Sequence, residues 1–262
     1  MTLELGLLAL AGFFAGFVDA VAGGGGLLQL PALFAAYPET HAATLFGTNK
    51  AASVWDTAVA ARQYGRRVAL PWACLKGALP MALIGAWGGA KAVSLLPTAA
   101  LRPAVLVALI GVGLYTLRRR ELGLTHAPRF GPTQELKAGA ALGLGLGFYD
   151  GIFGPGTGTF LVFMLVRNFG YDFLHASAAA KLINVATNVA ALAFFIPAGH
   201  WLGQAAVVLA VSNVAGSVLG SRAALKGGAR FVRLLFLLVI TLLLVKMAFD
   251  VWHERTGFGL LL

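Results

Sequence analysis

GFFAGFVDAVAGGGGLLQLPALF, residues 12–34, is a membrane-grade apolar stretch interrupted by Asp19 and by Gly23, Gly24, Gly25 and Gly26. A short polar gap follows. Then comes HAATLFGTNKAASVWDTAVAA, residues 41–61, with Asn49 and Lys50 near its middle. The second half of the chain echoes both parts, as GLGLGFYDGIFGPGTGTFLVFML at 143–165 and HASAAAKLINVATNVAALAFF at 175–195. A single ungapped offset lays Asp19 on Asp150, Gly23 on Gly154, Gly25 on Gly156 and Lys50 on Lys181. Alanine, glycine and leucine coincide by chance in such a chain. Charged residues are only 11% of it, so the paired aspartates and lysines carry the weight. The same offset pairs Lys91 with Arg222, Arg102 with Arg233, Gly85 with Gly216 and Gly89 with Gly220.

The chain of 262 residues is 59% hydrophobic. A soluble domain of that size cannot hide so much apolar surface, so its main solvent is lipid. The first residues, MTLELGLLAL, carry Glu4 and no Lys or Arg, which predicts a retained first helix rather than a cleaved leader. The net charge of +10 does not indicate nucleic acid. The arginines stand at the ends of apolar segments, and no basic helix with interleaved aromatics occurs. The lone Cys74 supports neither a disulfide nor a thiolate cluster. His41, His175 and His200 fall at segment ends with no metal-site spacing, and no cofactor is indicated. Trp55, Trp72, Trp87, Trp201 and Trp252 suit an interfacial belt.

Apolar segments fall at roughly 3–21, 24–37, 42–61, 69–90 and 98–117, then at roughly 134–152, 157–169, 172–196, 201–224 and 231–252. The expected fold is an all-α polytopic membrane protein with about 8–10 membrane segments. It would comprise a first repeat at 1–117, a cytoplasmic loop at 118–133 and a second repeat at 134–262. Segments 24–37 and 157–169 are too short to span and read as re-entrant limbs. Positive charge follows the third and fifth segments in the first half (Arg62, Arg66, Arg67, then Arg118, Arg119, Arg120). In the second half it follows the ninth (Arg222, Lys226, Arg230, Arg233). That swap predicts inverted halves with both termini outside, although Lys91 and Arg102 then fall on the wrong side. The location expected is the cytoplasmic membrane.

A backbone that leaves the helix inside lipid exposes N–H and C=O groups costing several kcal/mol each, and survives only inside protein or along a watery cavity. The helix restarting after each break offers N–H groups and the positive end of a dipole, which suits an anion. Gly24, Gly25 and Gly26 fill that place in the first half. Gly156, Thr157 and Gly158 fill it in the second, behind Pro155. An ammonium at mid-membrane costs about 2.5–3.5 kcal/mol and therefore faces a partner or a permeating ion. Lys50 and Lys181 thus either bind an anion or serve as structural partners of Asp19 and Asp150. Asn49, Ser53 and Asp56 share one side of the first lysine helix, and Lys181, Asn184 and Asn188 share a face of the second. Asp19 and Asp150 are candidates for gating, proton coupling or bracing the break. Gly85, Gly89, Gly216 and Gly220 read as close-packing positions, and Asn213 as a helix–helix hydrogen bond.

GFFAGFVDAVAGGGGLLQLPAL followed by LFGTNKAAS resembles the sulfite exporter TauE/SafE family, also called the toluene-sulfonate uptake permeases. The matching residues are Asp19, Gly23 to Gly26, Leu30, Pro31 and Gly47, Thr48, Asn49, Lys50. The second half keeps Gly147, Asp150, Gly154, Gly156 and Lys181 but has Ala179 and Ala180 where the first has Thr48 and Asn49. The resemblance implies transport of a small, often sulfur-containing anion such as sulfite, sulfoacetate or an organosulfonate, with thiosulfate of the same class; the two halves rocking about a fixed site would give alternating access. The expected partners are that anion and the bilayer, with a homodimer left open and nucleic acid excluded. A divalent-metal permease, served by Asp19, Asp56 and Asp150, is the rival. An intramembrane enzyme is disfavoured, since neither a metal spacing nor a nucleophile elbow is present.

Overall fold

The computed structural model describes residues 2–92 and 123–256. The segment expected at 98–117, with Arg102, Arg118, Arg119 and Arg120, lies outside them. The described residues are helical with no strand. In chain order the helices are α1 (Thr2–Ala22), α2 (Gly25–Ala36), α3 (Ala42–Gly65), α4 (Trp72–Ala92), α5 (Pro132–Ile152), α6 (Thr157–Met164), α7 (Phe173–Phe195) and α8 (Gly203–Thr256). A π-helical turn, Leu165–Phe169, extends α6. α8 covers the ninth and tenth expected segments, two helices that meet at a kink at Gly228, with φ 69° and ψ −169°.

Local chemistry sets the ends. Gly131 and Pro132 open α5, where a missing N–H does no harm, and Glu135 meets the helix dipole in the first turn. Asp172 caps α7 by accepting the His175 backbone N–H at 2.8 Å. The membrane breaks come from left-handed glycines, which other residues rarely tolerate: Gly23 at φ 77°, and Gly154 and Gly156 at φ 85° and 82°. The Gly23 N–H closes α1 on the Asp19 carbonyl at 2.9 Å. At 12 residues α2 is about 18 Å long, against about 30 Å of hydrocarbon. Both α2 and residues 157–169 are short apolar helices, as half-length limbs require.

Leu5–Ala22, Phe173–Phe195 and Gly203–Leu238 are long and apolar enough to cross a membrane. Large apolar side chains point outward on these and neighbouring helices, among them Leu7, Ile84, Val189, Val211 and Leu234. Such a surface suits lipid. Trp55, Trp72, Trp87 and Trp201 are exposed on it too.

Small residues rather than large ones hold the bundle together. The two most extensive helix contacts are α4 along α5 and α1 along α8. Without a hydrophobic force between helices in lipid, close backbone approach supplies the attraction. A Cβ at Gly85 or Gly89 would lie 2.4 Å or 2.2 Å from the carbonyl oxygens of Leu144 and Phe148. Gly143, Gly147 and Gly151 of α5 meet carbonyls of Ala78, Ala82 and Ala86 in return. On the other contact, a Cβ at Gly216 would lie 1.9 Å from Phe13 O, and at Gly220 2.5 Å from Phe17 O. Gly216→Leu should therefore separate α8 from α1, seen as loss of the monodisperse detergent peak on heating. A melting temperature unchanged from the parent would contradict the contact.

Candidate functional site

The end of α1 leaves its last carbonyls without helical partners, deep in the bundle. Three side chains from three helices meet them. Tyr64 Oη of α3 donates to Ala20 O at 2.9 Å, Ser177 Oγ of α7 to Val21 O at 3.4 Å, and Thr159 Oγ1 of α6 to Ala22 O at 3.1 Å. At the other break Tyr149 Oη donates to Pro155 O at 2.7 Å and Thr157 Oγ1 to Gly154 O at 2.8 Å. Broken backbone is thus tolerated at this depth because protein groups satisfy it. The two breaks also touch. A Cβ on Gly23 would sit 2.3 Å from Gly158 C, and one on Gly158 2.4 Å from Gly23 O. Only glycines allow that approach.

Each lysine reaches the aspartate of the opposite half. Lys50 Nζ donates to Asp150 Oδ2 at 2.5 Å, and Lys181 Nζ to Asp19 Oδ2 at 2.7 Å. The side chains are nearly sealed from solvent, Lys181 at 1% and Asp19 at 13% exposure. A pair this deep is costly to break from one side, because the remaining charge has no partner. These four groups sum to zero charge.

Between the breaks lies a cavity of about 30 Å³ lined by Gly23, Gly26, Asn49, Lys50, Ser53, Thr57, Asp19, Asp150, Gly154, Gly156, Thr157, Gly158, Asn184 and Asn188. At about 10–15 Å³ per water, it has room for about two or three waters. Asn49 Oδ1 and Asn184 Oδ1 have no hydrogen-bond partner. In both residues the unpaired atom is the amide oxygen, an acceptor.

Most of the residues singled out from sequence converge here: Asp19, Gly26, Asn49, Lys50, Asp150, Gly156, Thr157, Gly158, Asn184 and Asn188. Four do not line the cavity. Gly24 caps α2. The Gly25 N–H points to Asp19 Oδ1 at 3.4 Å, so the chain's own carboxylate occupies the positive end of α2. Lys181 lies behind the lining, wholly buried on Asp19. Thr48 braces a connection instead: it donates to Thr44 O at 2.7 Å and accepts the Leu202 N–H at 2.9 Å. Its place beside Asn49 in the sequence points the opposite way round α3, since adjacent helical residues do not share a face. Thr48→Val should cost about 1–3 kcal/mol by stranding the Leu202 N–H, while flux per folded molecule stays at the parent level. Lost flux in well-folded Thr48→Val would return Thr48 to the site. Thr57, which lines the cavity two turns from Lys50, was not legible as a site residue. A threonine on a helix ordinarily bonds back to its own backbone, as Thr57 does to Ser53 O at 2.6 Å.

Away from the cavity, His126, Asp172 and His175 gather at the start of α7, with ligand atoms within 4.8 Å of one another. The His126 and His175 rings stack at 3.9 Å. Burial, with His175 beside it, holds His126 below the ordinary imidazole range, against the pull of Asp172 and Glu135. Sequence spacing could not bring these residues together, because His126 comes from the loop preceding α5.

The sequence model of the family described as sulfite exporter TauE/SafE matches residues 8–247. The chain is 33% identical over 250 residues to the probable membrane transporter protein YfcA of Escherichia coli K12, covering 95% of this chain and 91% of that protein. It is 33% identical over 254 residues to the probable membrane transporter protein ORF9 of a Sinorhizobium species, covering 95% and 94%. It is 29% identical over 246 residues to a probable membrane transporter protein of Haemophilus influenzae, covering 94% and 95%. No solved structure matches. Helical breaks that meet in the bundle, a lipid-facing surface and likeness along nearly the whole chain agree: this protein belongs to the sulfite exporter TauE/SafE family of membrane transporters.

Proposed function

We propose that the protein moves a small anion across the cytoplasmic membrane by alternating access, with the cavity between the two glycine breaks as its site. The observation that carries this is Lys50, buried at the cavity beside the amides of Asn49, Asn184 and Asn188. A tetrahedral or pyramidal oxyanion needs several donors around one cation. Lys50 supplies the charge, and the three amides with Ser53 supply neutral hydrogen bonds, since Thr57 and Thr157 give their hydroxyl protons to Ser53 O and Gly154 O. Lys181 acts from behind the lining by holding Asp19.

The anion competes with Asp150 for the Lys50 ammonium. Room for about two or three waters is too little for a sulfonate, so entry requires the lining to part. Two inverted halves rocking about the cavity would provide that motion. The crossed pairs Lys50–Asp150 and Lys181–Asp19, and the matching contacts α4–α5 and α1–α8, support such a doubled arrangement. The family name favours sulfur oxyanions, namely sulfite, thiosulfate and organosulfonates. The divalent-cation alternative is weakened because each cavity carboxylate already holds an ammonium.

Purified protein in proteoliposomes of known orientation should carry at least one labelled anion from a panel of sulfite, thiosulfate, sulfonates and carboxylates. It should not carry manganese or zinc. Metal flux without anion flux would overturn the proposal.

A further inference from the structure

Among the described residues, one intramembrane carboxylate, Asp56, forms no ion pair. Asp56 on α3 is 1% exposed, and its Oδ2 meets no hydrogen-bond donor. It lies beyond the cavity on the face of α3 that carries Asn49 and Ser53, one and two turns further on. Two lysines against Asp19, Asp150 and Asp56 leave one acid over at the centre of the bundle.

The amides around Asp56 indicate its state. With Asn213 Nδ2 turned toward Gln29 and Asp56, its Oδ1 faces only acceptors. With the Asn213 and Gln29 amides both reversed, Asn213 Nδ2 donates to Gly12 O at 2.7 Å and Leu209 O at 3.1 Å, and Oδ1 accepts at 2.7 Å from the Gln29 nitrogen, which takes the place of Oε1. Hydrogen-bond satisfaction selects the second orientation. The Asn213 oxygen then faces Asp56 Oδ1 across the 3.4 Å otherwise assigned to a donated bond. Two acceptors face each other there unless a proton lies between them. A proton on Asp56 Oδ1 gives this pair of oxygens a donor, and it leaves Oδ2 as a neutral carbonyl without a donor rather than as a carboxylate oxygen.

We propose that Asp56 carries a proton and is the coupling site of the transporter, distinct from the anion cavity. The step is a protonation: the carboxylate takes H⁺ from water, an O–H bond forms, and the hydroxyl donates to Asn213 Oδ1. The charged groups acting on Asp56 are Asp19 of α1 and Lys181 of α7. The partners on α2 and α8, Gln29, Asn213 and Ser217, do not titrate. A proton on Asp56 removes a negative charge beside the Lys181–Asp19 pair, which borders the cavity. The cavity becomes more favourable to an anion, and loss of the proton reverses this. By linkage, anion binding strengthens proton binding to the same degree. An otherwise neutral cavity thereby loads an anion together with a proton.

The coupling rests on the anion proposal; the protonation of Asp56 does not. Infrared spectra of the reconstituted protein at neutral pH should show a carboxylic acid band that shifts with ¹³C-aspartate labelling and vanishes in Asp56→Asn. Asparagine has the shape of the protonated acid, so the variant should fold and exchange anion across equal concentrations. Methanesulfonate, or whichever sulfonate the flux panel shows is carried, does not titrate in the accessible range. Its affinity should rise as pH falls in the wild type, by a coupling of about 5–150-fold, and become independent of pH in Asp56→Asn. The absence of an aspartic acid band, or its survival in Asp56→Asn, overturns the protonation. pH dependence that persists in the variant, or accumulation driven by sodium instead of protons, overturns the coupling. If the wild type carries no anion, the coupling falls with the proposed function, while the band still decides the state of Asp56.

Discussion

Lys50→Ala abolishes anion flux and lowers stability by about 3–5 kcal/mol, because it leaves Asp150 charged, buried and alone. The two effects have different origins, and a second variant separates them. In Lys50→Ala/Asp150→Ala both charges are gone, so most of the stability returns. Flux stays at background because the cavity has lost the ammonium that an oxyanion would contact. Thermal unfolding in detergent and labelled-anion uptake in proteoliposomes give the two readouts. A double variant that transports at the parent rate would reduce Lys50 to a structural partner of Asp150 and remove the anion site. The mirror variant Lys181→Ala should be less destabilising, since the Asp19 it strands is more exposed than Asp150 and keeps the Gly25 N–H.

Gly158→Ala is the second large effect, and it works through backbone contact alone. Gly158 lies in α6 outside the positive-φ glycines, so alanine meets no conformational penalty there. Its methyl would instead fall 2.4 Å from Gly23 O and 2.9 Å from Asn184 Nδ2. Both helical breaks must then move apart. The cost is about 1–3 kcal/mol or more for overpacking, equivalent to several degrees of melting at about 2–4 °C per kcal/mol for a chain of this size. Transport falls further than stability, because the displaced Gly23 and Asn184 both line the cavity. Gly145→Ala is the control. A Cβ there has nothing within 4 Å, so it should leave melting unchanged or raise it, as helix propensity favours alanine by about 0.5–1 kcal/mol. Equal melting of the Gly158 and Gly145 variants would show that the two breaks do not touch.

The hydrophobic pattern located the described helices to within a few residues. α2 and α6 were marked as half-length by their own composition, because lipid demands a fixed span and glycine marks where it fails. The polar run from Arg222 to Arg230 divides α8 in two, and the backbone agrees, with two helices meeting at the left-handed Gly228. Only the backbone shows that the connection is a kink at one residue rather than a loop. The close-packing glycines were legible from their four-residue spacing, but their partners were not. Nothing in the order of residues says that Gly216 faces Phe13 or that Gly89 faces Phe148.

By itself the sequence determined the solvent, the helical class, the two breaks and the rare charges, since each follows from what a single segment can bear in hydrocarbon. The tertiary structure decided which charges meet. Lys50 takes Asp150 rather than Asp19, Lys181 takes Asp19, and Asp56 is left to Asn213. Ion pairing depends on distance through space, and residues 100 and 162 positions apart become neighbours only when the halves interlock. The same interlocking removed Thr48 and Lys181 from the cavity wall and placed Thr57 on it, because a helix face has meaning only once another helix lies against it.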